Sequence, residues 1–434
     1  MAARANVTML SEERRTDVRD LVETLARDAK SASRALARAP TAKKNAILLR
    51  AATALRESCR AAVLEANAAD VAAARAAGLS RALIDRLTID QRRLDGVARS
   101  IEDVAKLADP VGEIVEMRRL ANGLLAGRMR VPLGVIAIVY ESRPNVTADA
   151  AALCIKSGNA CILRGGSEAF RTSTAIAAAF AGALEAEGLP AACAALVPTT
   201  DREATLVLIG LDGLVDLAIP RGGEELIRFV VDHARVPVIK HYKGVCHVYV
   251  DGDADLEMAV RIAVNAKAQR PGVCNAMETL LVDRACADAF LPRVAGALAE
   301  RGVELRADAE ALRRIPSARP ATAADWDTEY LDLVLAIAVV DGIDGALDHV
   351  ARHGTQHTEA IVTTSYDKAQ RWIREVDASL VLVNASTRFN DGSELGLGAE
   401  IGISTTKMHA YGPMGLAELC TLKWIAYGQG EVRD

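Results

Sequence analysis

Residues 131–168 read VPLGVIAIVYESRPNVTADAAALCIKSGNACILRGGSE, and the order of their apolar and polar segments indicates the fold class. Two short apolar runs, residues 134–140 and 160–163, flank an alanine-rich segment with helical spacing. Runs that are apolar at every position are typical of strands buried on both faces of a parallel sheet. The stretch is therefore predicted to be a strand–helix–strand unit, with glycines where its second strand meets the next helix.

The same alternation continues along the chain. Further apolar runs lie at residues 194–197, 214–219, 248–251, 279–282, 333–340, 360–363 and 380–383. A region with helical spacing, residues 11–107, precedes the first unit. The fold class is therefore α/β, with two doubly wound domains whose ligands are expected at the carboxyl ends of the strands.

Two segments fall outside this pattern. Residues 113–130 alternate polar and apolar side chains around Asn122-Gly123, which is a strong hairpin signal. Residues 421–427 alternate in the same way. A small β-hairpin joined by a C-terminal strand is predicted, and such an element suits a contact between subunits.

Composition excludes several classes of protein. The chain has 434 residues, of which 51% are hydrophobic and 25% charged, as in an ordinary globular protein. Its net charge of -5 provides no positive field for nucleic acid or an anionic membrane. We find no apolar run of membrane-spanning length and no signal-peptide core, so a cytoplasmic protein is expected. The eight cysteines show no C-x-x-C spacing, and most should be buried.

Two glycine turns are candidate nucleotide sites. They are LRGGSE at residues 163–168 and IPRGGE at residues 219–224, each where a strand ends and a helix begins. Backbone N–H groups at a helix N-terminus bind anions. The alternative is an ordinary turn whose glycines supply positive φ angles. Because no strand leads into a G-x-G-x-x-G loop and no Gly-Lys pair occurs, a nucleotide would have to be bound in another way.

Three further features are candidates for a chemical role. Cys274 follows a Pro-Gly turn that presents it on a loop, and the nearby cations Lys267 and Arg270 should lower its pKa; the alternative is a buried structural thiol. The spacing of His349, His353 and His357 is interrupted by a glycine and lacks an acidic partner, so we expect no metal site there. The loop at residues 384–393 contains one arginine suited to a carboxylate, or it is a solvated connection.

Taken together, these segments resemble the aldehyde dehydrogenase superfamily, and within it the branch that reduces L-glutamyl 5-phosphate in proline biosynthesis. The resemblance spans residues 131–416, about two thirds of the chain. Besides the opening stretch, it rests on IPRGG, VPVIKHYKGVCHVYVD, AKAQRPGVCNAMETLLV, GTQHTEAIVT and NASTRFNDGSELGLGAEIGISTTKMHAYGPMGL.

The resemblance implies a fold, a cofactor and a nucleophile. It implies NADPH bound without a G-x-G-x-x-G loop, Cys274 as a nucleophile that forms a thioester, and Asn145 as an oxyanion donor beside the Cys274 N–H. The cofactor-binding residues that it implies are Arg164, Gly165, Gly166, Ser167, Glu168, Arg221, Gly222, Gly223 and Glu329. The corresponding segments are a cofactor domain at 1–115 and 132–245, a catalytic domain at 246–390, a return segment at 391–411, and an oligomerisation element at 116–131 and 412–434.

One position departs from the hydrolytic members of the superfamily. Their general-base glutamate should fall in a strand expected at residues 238–245, where this chain has approximately His241. Without a base to activate water, a thioester is better preserved for exchange with phosphate. From charge complementarity alone we expect Arg270, Arg388 and Asn390 to contact the substrate.

Partners and alternatives follow from the same resemblance. A homo-oligomer, dimer or tetramer, is expected, and the lability of an acyl phosphate raises the question of a transient contact with glutamate 5-kinase. Two other functions stay open at this point. One is a coenzyme A-acylating or hydrolytic dehydrogenase of the same superfamily; the other is a non-catalytic nucleotide-binding or assembly protein.

Overall fold

The structure, a computed structural model, describes residues 12–433 and divides into two compact units. Unit 1 contains the described part of Met1–Ile239, together with Gly398–Ile401 and the described part of Gly415–Asp434. Unit 2 contains Lys240–Leu397 and Gly402–Met414. The second unit thus begins six residues before our expected boundary at residue 246, and only a short part of the 391–411 segment belongs to unit 1.

Unit 1 starts with the predicted helical region. Its five helices are α1 (Glu12–Leu36), α2 (Thr41–Arg56), α3 (Arg60–Ala76), α4 (Arg81–Leu87) and α5 (Gln91–Lys106). Capping side chains fix the helix starts: the carboxylate of Asp90 accepts the N–H of Arg93 at 2.7 Å as α5 begins. The apolar face of α1, with Val22 and Ala26, packs in one core cluster with the first parallel strands.

Unit 1 contains a three-stranded antiparallel sheet and a four-stranded parallel sheet. The strands are β1 (Ile114–Arg119), β2 (Leu125–Pro132), β3 (Val135–Tyr140), β4 (Ala160–Arg164), β5 (Ala194–Leu196), β6 (Leu217–Arg221) and β16 (Cys420–Tyr427). The helices are α6 (Asn145–Lys156), α7 (Phe170–Ala186), α8 (Glu203–Ile209) and α9 (Glu224–His233). The order β1-β2-β16 confirms the predicted hairpin and its C-terminal strand, and the order β5-β4-β3-β6 is parallel throughout.

Unit 2 is a seven-stranded parallel sheet with helices on both faces. Its strands are β7 (Cys246–Val250), β8 (Met277–Asp283), β9 (Glu304–Ala307), β10 (Arg319–Pro320), β11 (Val334–Val340), β12 (Thr358–Val362) and β13 (Leu380–Val383), in the order β10-β9-β11-β8-β7-β12-β13. Its helices are α10 (Leu256–Ala268), α11 (Arg284–Ala299), α12 (Ala309–Leu312), α13 (Gly342–His353) and α14 (Tyr366–Glu375). A short antiparallel pair, β14 (Gly402–Ser404) and β15 (Gly412–Met414), completes the unit.

Burial of both sheet faces explains the uniform apolar runs. Val248 and Val250 of β7 belong to one core cluster, whereas Tyr249 between them belongs to another that contains Trp372 of α14. Because successive side chains of a strand point to opposite faces, both faces of this sheet are covered. The prediction of doubly wound α/β architecture is confirmed.

The structure differs from two of our strand predictions. We predicted a strand at residues 238–245, but residues 240–245 form no strand, and Val238 makes only an isolated bridge to Ala218. The polar run from Lys240 to Lys243 interrupts the apolar pattern that a buried strand requires. We also missed β9 and β10: β10 is the exposed edge strand, and its neighbour β9 alternates polar side chains with buried apolar ones.

Two expectations about composition can be compared with the structure. Of the seven cysteines other than Cys274, six are buried, as predicted, and Cys59 is half-buried. Among residues 12–433, no helix has both the length and the apolarity needed to span a membrane.

The start of β3 is a close approach that requires glycine. Gly134 has φ of +130°, and a Cβ atom there would overlap the carboxylate of Asp216. That carboxylate accepts the N–H of Val135 at 2.7 Å and pairs with Lys30 of α1 at 2.7 Å. The contact therefore joins the first helix to the central strand of the sheet.

Replacing Gly134→Ala should lower the free energy of unfolding by about 1–3 kcal/mol, because the new Cβ is both strained and obstructed. Gly182→Ala is the matched control, since Gly182 lies within α7 with open space around it. The control should raise stability by about 0.5–1 kcal/mol through helix propensity. Chemical denaturation measures both, and equal effects would contradict the strained-approach explanation.

Candidate active site

Cys274 lies at the amino edge of the unit 2 sheet. It occupies a turn directly before β8, so its placement on a loop is confirmed. The parallel neighbours β7 and β12 begin at the same edge, and the segments that precede them contain Gly244 and His357. Our expectation that ligands meet the carboxyl ends of strands does not hold for Cys274, because α10 returns the chain to the amino edge before this turn.

The backbone of Cys274 is in close contact with the segment before β7. A Cβ at Gly244 would overlap the Cys274 carbonyl oxygen, so only glycine permits this approach. The same carbonyl accepts the thiol of Cys246 at 3.1 Å. The N–H of Gly244 donates to Oε1 of Glu329 at 3.0 Å. Glu329, which we predicted to bind the cofactor, is therefore tied to the segment that packs on the cysteine turn.

Arg388 connects the polar loop at residues 384–393 to the cysteine turn. Its Nη1 donates to the side-chain oxygen of Asn275, and its Nε donates to Oε1 of Gln269 at 2.8 Å. The Asn275 amide in turn donates to the backbone oxygen of Asn390 at 2.9 Å. The loop is thus part of the site's framework rather than a solvated connection.

The positive charge beside Cys274 differs in part from our expectation. Lys267 is fully buried and forms a 2.5 Å ion pair with Glu278, so its charge is compensated there. Arg388, which the sequence did not indicate as a neighbour of the thiol, interacts electrostatically with Cys274. Burial lowers the pKa of Arg388, and the neighbouring Arg270 lowers it further.

The buried ion pair of Lys267 and Glu278 also fixes the backbone beside Glu329. Oε1 of Glu278 accepts the N–H of Leu331 at 3.2 Å, and Leu331 has a φ of +53°, which is rare for a leucine. Desolvation raises the pKa of Glu278 to about 7, whereas desolvation lowers that of Lys267. We infer that this pair holds the segment that carries Glu329.

Asn390 is fully buried among backbone and side-chain groups of the same edge. Its Nδ2 donates to Oγ1 of Thr358 at 2.7 Å and to the carbonyl of His357 at 3.3 Å. In the structure it supports the cysteine turn and β12. Contact of Asn390 with a substrate stays a prediction.

Two imidazoles adjoin the thiol. The ligand atoms of His241, Cys274 and His357 all lie within 4.8 Å of one another, and the two rings meet edge to face with centroids 5.4 Å apart. The other members of the histidine run are directed elsewhere: His349 packs edge-on against His247, and His353 lies 2.8 Å from Asp327.

In unit 1, the predicted cofactor residues lie at the carboxyl ends of β4 and β6. None of the glycines at positions 165, 166, 222 and 223, all of which the structure describes, has a positive φ, so the positive-φ alternative is wrong. Gly165 faces the ring of Tyr140, and a Cβ at Gly166 would overlap the carboxylate of Glu168. These glycines allow close approach of neighbouring side chains.

Arg164 and Glu168 are held by groups of the surrounding loops. Nη2 of Arg164 donates to the carbonyls of Thr200 and Asp201 at 3.1 and 3.0 Å. Its Nε is buried and has no hydrogen-bond partner among residues 12–433, and burial lowers its pKa. Oε1 of Glu168 accepts the N–H and the hydroxyl of Ser142 at 2.6 and 2.7 Å.

The N-terminus of α9 already contacts an anionic side chain. Oε2 of Glu141 accepts the N–H of Gly223 at 3.1 Å, and a Cβ at Gly222 would overlap the same carboxylate. The positive end of the helix dipole favours a negative charge there. The turn after Arg221 is therefore an anion-accepting position.

Asn145, the first residue of α6, is oriented by an acidic neighbour. Its amide donates to Asp149 at 3.0 Å, and the other oxygen of Asp149 accepts the hydroxyl of Ser100 at 3.2 Å. Burial raises the pKa of Asp149. Asn145 belongs to unit 1 and Cys274 to unit 2, so their joint role in an oxyanion hole rests on the resemblance alone.

Comparison with known proteins places these features in a family. The model of the aldehyde dehydrogenase family matches residues 8–311. The chain belongs to the aldehyde dehydrogenase family. It is 58% identical over 426 residues to a gamma-glutamyl phosphate reductase of Sorangium cellulosum, covering 97% of this chain and 100% of that relative. The corresponding relative from Geobacter metallireducens is 53% identical over 417 residues, with 96% and 100% coverage.

A solved structure agrees with the fold. The crystal structure of gamma-glutamyl phosphate reductase from Thermotoga maritima superimposes with a TM-score of 0.94 at 44% identity, covering 96% of this chain and 100% of that one. The aldehyde dehydrogenase-like fold and the resemblance drawn from the sequence motifs are both confirmed. As a member of the aldehyde dehydrogenase family, the chain is an oxidoreductase.

Several supporting residues of this family member were missed from sequence. Gln269 and Asn275 flank the cysteine turn, but their partner Arg388 is more than a hundred residues away. The pairing of Cys246 with the Cys274 carbonyl likewise requires the sheet. Asp149 had a local signal, because it lies four residues after Asn145 on one helix face.

The half-buried His349 and the fully buried His357 predict acid sensitivity of unit 2. Burial lowers the pKa of His349 to about 3 and that of His357 well below 6.5. For a base with a lowered pKa in the folded chain, the unfolded chain takes up the proton first as pH falls, so stability is lost below about pH 6.5. Going from pH 7 to pH 5 should cost about 2 kcal/mol for each of the two imidazoles.

The measurement is chemical denaturation at both pH values. In His349→Phe the loss between pH 7 and pH 5 should be about 2 kcal/mol smaller than in the native protein. His233→Gln, at an exposed position on α9, is the control and should leave the loss unchanged. Equal losses in the native protein and His349→Phe would contradict the burial argument.

Proposed function

We propose that this chain reduces L-glutamyl 5-phosphate to L-glutamate 5-semialdehyde and phosphate with NADPH, through a thioester on Cys274, as a step of proline biosynthesis. The observation that carries the proposal is the Cys274 turn, connected to Arg388, in a chain 58% identical to a gamma-glutamyl phosphate reductase. A thiol on a turn beside a guanidinium suits a nucleophile for an acyl group.

In the first step the thiolate of Cys274 attacks the 5-carbonyl carbon of the acyl phosphate. A carbon–sulfur bond forms, the carbon–oxygen bond to phosphate breaks, and phosphate leaves. Arg388 interacts electrostatically with Cys274, and this charge favours the thiolate. Covalent catalysis divides one difficult displacement into two easier steps.

In the second step the thioester is reduced and the carbon–sulfur bond breaks. NADPH, when bound, supplies the hydride for this reduction. The oxygen that gains negative charge accepts hydrogen bonds from the Cys274 N–H and, by the resemblance, from the Asn145 amide. Asp149 orients that amide by accepting one of its N–H groups. Collapse of the tetrahedral species returns the thiolate and releases the aldehyde.

The residues of unit 1 are compatible with a dinucleotide. The buried Nε of Arg164 has no partner among the described residues, and the N-terminus of α9 accepts an anion. Arg164 and Glu168 would contact the adenosine ribose, and the turn at Gly222 and Gly223 would bind the pyrophosphate. Arg164 and Glu168 interact electrostatically, which reduces the repulsion that Glu168 alone would exert on a 2′-phosphate.

For the substrate, Arg388 and Arg270 supply the positive charge. Arg388 uses Nε and Nη1 to hold Gln269 and Asn275, and its Nη2 edge would meet the α-carboxylate. Arg270 is exposed beside the cysteine turn and would accommodate the phosphate. Asn390 would act indirectly, because it fixes the turn that carries Cys274.

His241 stands where a carboxylate is expected in the hydrolytic relatives. Its Nδ1 lies 2.8 Å from the carbonyl of Ile403, which can only accept, so this nitrogen carries the proton. The position that we assign to the general-base glutamate of hydrolytic relatives therefore holds an imidazole in place of a carboxylate, and we propose that phosphate, not water, releases the acyl group.

The three-stranded sheet of unit 1 supports the expected homo-oligomer. Its strands expose large apolar side chains, namely Ile114, Val115, Met117, Trp424 and Tyr427. Exposed apolar clusters and unpaired strand edges are typical of subunit contacts. We propose that residues 116–131 and 412–434 mediate this association.

The reaction should run in reverse and require phosphate. Purified protein given glutamate 5-semialdehyde and NADP should form reduced cofactor continuously only when inorganic phosphate is present, because phosphate must release the thioester. Cys274→Ala should abolish turnover, and Cys59→Ala, which replaces a half-buried cysteine of unit 1, should retain it. Absorbance of the reduced cofactor is the readout.

Each failure of this assay has a distinct meaning. Sustained turnover without phosphate would overturn the proposal in favour of a hydrolytic dehydrogenase. Turnover that requires coenzyme A would indicate an acylating enzyme. Absence of turnover in a folded protein that still binds the cofactor would support a non-catalytic role.

Glu141 should oppose cofactor binding, because its carboxylate occupies the N–H at the start of α9. Glu141→Gln should lower the KM for NADPH about two- to fivefold with little change in kcat, the effect of removing one anion at a helix N-terminus. Glu225→Gln is the matched control, since Glu225 is exposed in the same helical turn. A raised KM in Glu141→Gln would show that the carboxylate assists the cofactor instead.

A further inference from the structure

Three side chains that are distant in sequence form a compact group of metal-ligand type. They are His241, Cys274 and His357, and their ligand atoms lie within 4.8 Å of one another. The first precedes β7, the second precedes β8 and the third precedes β12, so the amino edge of one parallel sheet brings them together. Two imidazoles and a thiolate are a donor set that zinc prefers.

The spacing is close to that of a metal site. Zn–N bonds of about 2.0–2.1 Å and a Zn–S bond of about 2.3 Å put tetrahedral ligand atoms roughly 3.3–3.6 Å apart. A closure of about 1 Å would therefore complete three of four positions. Cys274 lies on a turn and His241 in a segment without regular structure, so neither is held by strand pairing.

One hydrogen bond indicates the tautomer of His241. Its Nδ1 donates to the carbonyl of Ile403 at 2.8 Å, which places the lone pair on Nε2. A backbone carbonyl on one ring nitrogen is the usual outer support of a metal-binding imidazole, because it fixes the tautomer and the ring orientation.

His357 contributes a second ring. Its Nε2 is completely buried and has no hydrogen-bond partner among the described residues, which is a costly state for a polar atom. Its Nδ1 lies 2.7 Å from Oγ1 of Thr358, and that oxygen can accept the Nδ1 proton and leave the Nε2 lone pair exposed to a metal.

We propose that His241, Cys274 and His357 form an inhibitory binding site for Zn²⁺, in which the metal takes the thiolate electron pair and leaves one coordination position open. The metal acts as an inhibitor and not as a catalytic cofactor, because a thiolate whose electron pair is bound to zinc cannot attack a carbonyl carbon. Metal binding itself goes beyond the proposed function; only the inhibition rests on it.

Cobalt gives a direct readout without turnover. Chelator-treated, reduced full-length protein is titrated with Co²⁺ under anaerobic conditions, and one Co²⁺ per chain should produce a thiolate-to-cobalt charge-transfer band together with tetrahedral visible bands, all displaced by Zn²⁺. Cys274→Ser should remove the charge-transfer band. His241→Gln and His357→Gln should each weaken binding at least about tenfold.

Control variants distinguish this site from other donors. His349→Gln replaces a histidine of unit 2 outside the group, and Cys59→Ser replaces a half-buried thiol of unit 1. Both should bind Co²⁺ as the native protein does. Persistence of the charge-transfer band in Cys274→Ser, or its loss in either control, would overturn the proposal.

A second measurement needs no substitution and so does not depend on the folding of a variant. Zn²⁺ should protect Cys274 of the native protein from alkylation at least tenfold, as read from the peptide that contains it, and a chelator should reverse the protection. Equal alkylation with and without Zn²⁺ would refute the site.

The inhibition is measured in the reverse assay. Zn²⁺ should stop turnover reversibly, and the half-inhibitory concentration should rise at least tenfold in His357→Gln, relative to the residual activity of that variant. Metal binding without any catalytic activity of the native protein would contradict the proposed function and leave the metal site intact. Turnover that is unaffected by saturating Zn²⁺ would contradict inhibition.

Discussion

The close approach of Gly244 to the Cys274 carbonyl is the constraint on which the rest of the site depends. It is possible because β7 and β8 are parallel neighbours, so the segments that precede them meet at one edge. The same contact brings Glu329 to the Gly244 N–H, and the Cys246 thiol binds the carbonyl from the strand side. A side chain at residue 244 would displace the cysteine turn and break the contacts that depend on the position of that turn.

Buried charged groups surround this contact, and burying each of them costs free energy unless it has a partner. Lys267 and Glu278 neutralise one another in the core of unit 2, and Glu278 also holds the strained backbone at Leu331. Breaking such a pair leaves an uncompensated charge, whereas replacing both members can be nearly neutral. Through the N–H of Leu331, the pair also positions the segment that carries Glu329.

The sequence was sufficient for the architecture because the strands of both parallel sheets are buried on both faces. Their uniform apolar runs, together with the Asn122-Gly123 turn, revealed most strands and the hairpin. The sequence was insufficient where the polarity of a segment does not indicate whether that segment forms a strand. The edge strand β10 and its neighbour β9 contain charged side chains, and residues 240–245 are not a strand although apolar residues surround them.

For the site, the sequence indicated Cys274, the glycine turns and Arg388 but not what they contact. Lys267 was expected to act on the thiol from its position seven residues earlier, yet its ammonium is buried against Glu278. The convergence of His241 and His357 on Cys274 depends on strand order, since their positions differ by more than a hundred residues. Local spacing, as between Asn145 and Asp149, was the only kind of partner that the sequence alone could reveal.

Trapping the acyl-enzyme tests whether Cys274 carries the acyl group. Native protein is mixed with glutamate 5-semialdehyde and NADP in phosphate-free buffer, quenched in acid, and digested for mass spectrometry. The account predicts one equivalent of reduced cofactor per active chain and a γ-glutamyl adduct confined to the peptide that contains Cys274, which disappears when phosphate is added. An adduct on another cysteine, or reduced cofactor formed with no adduct at all, would contradict it.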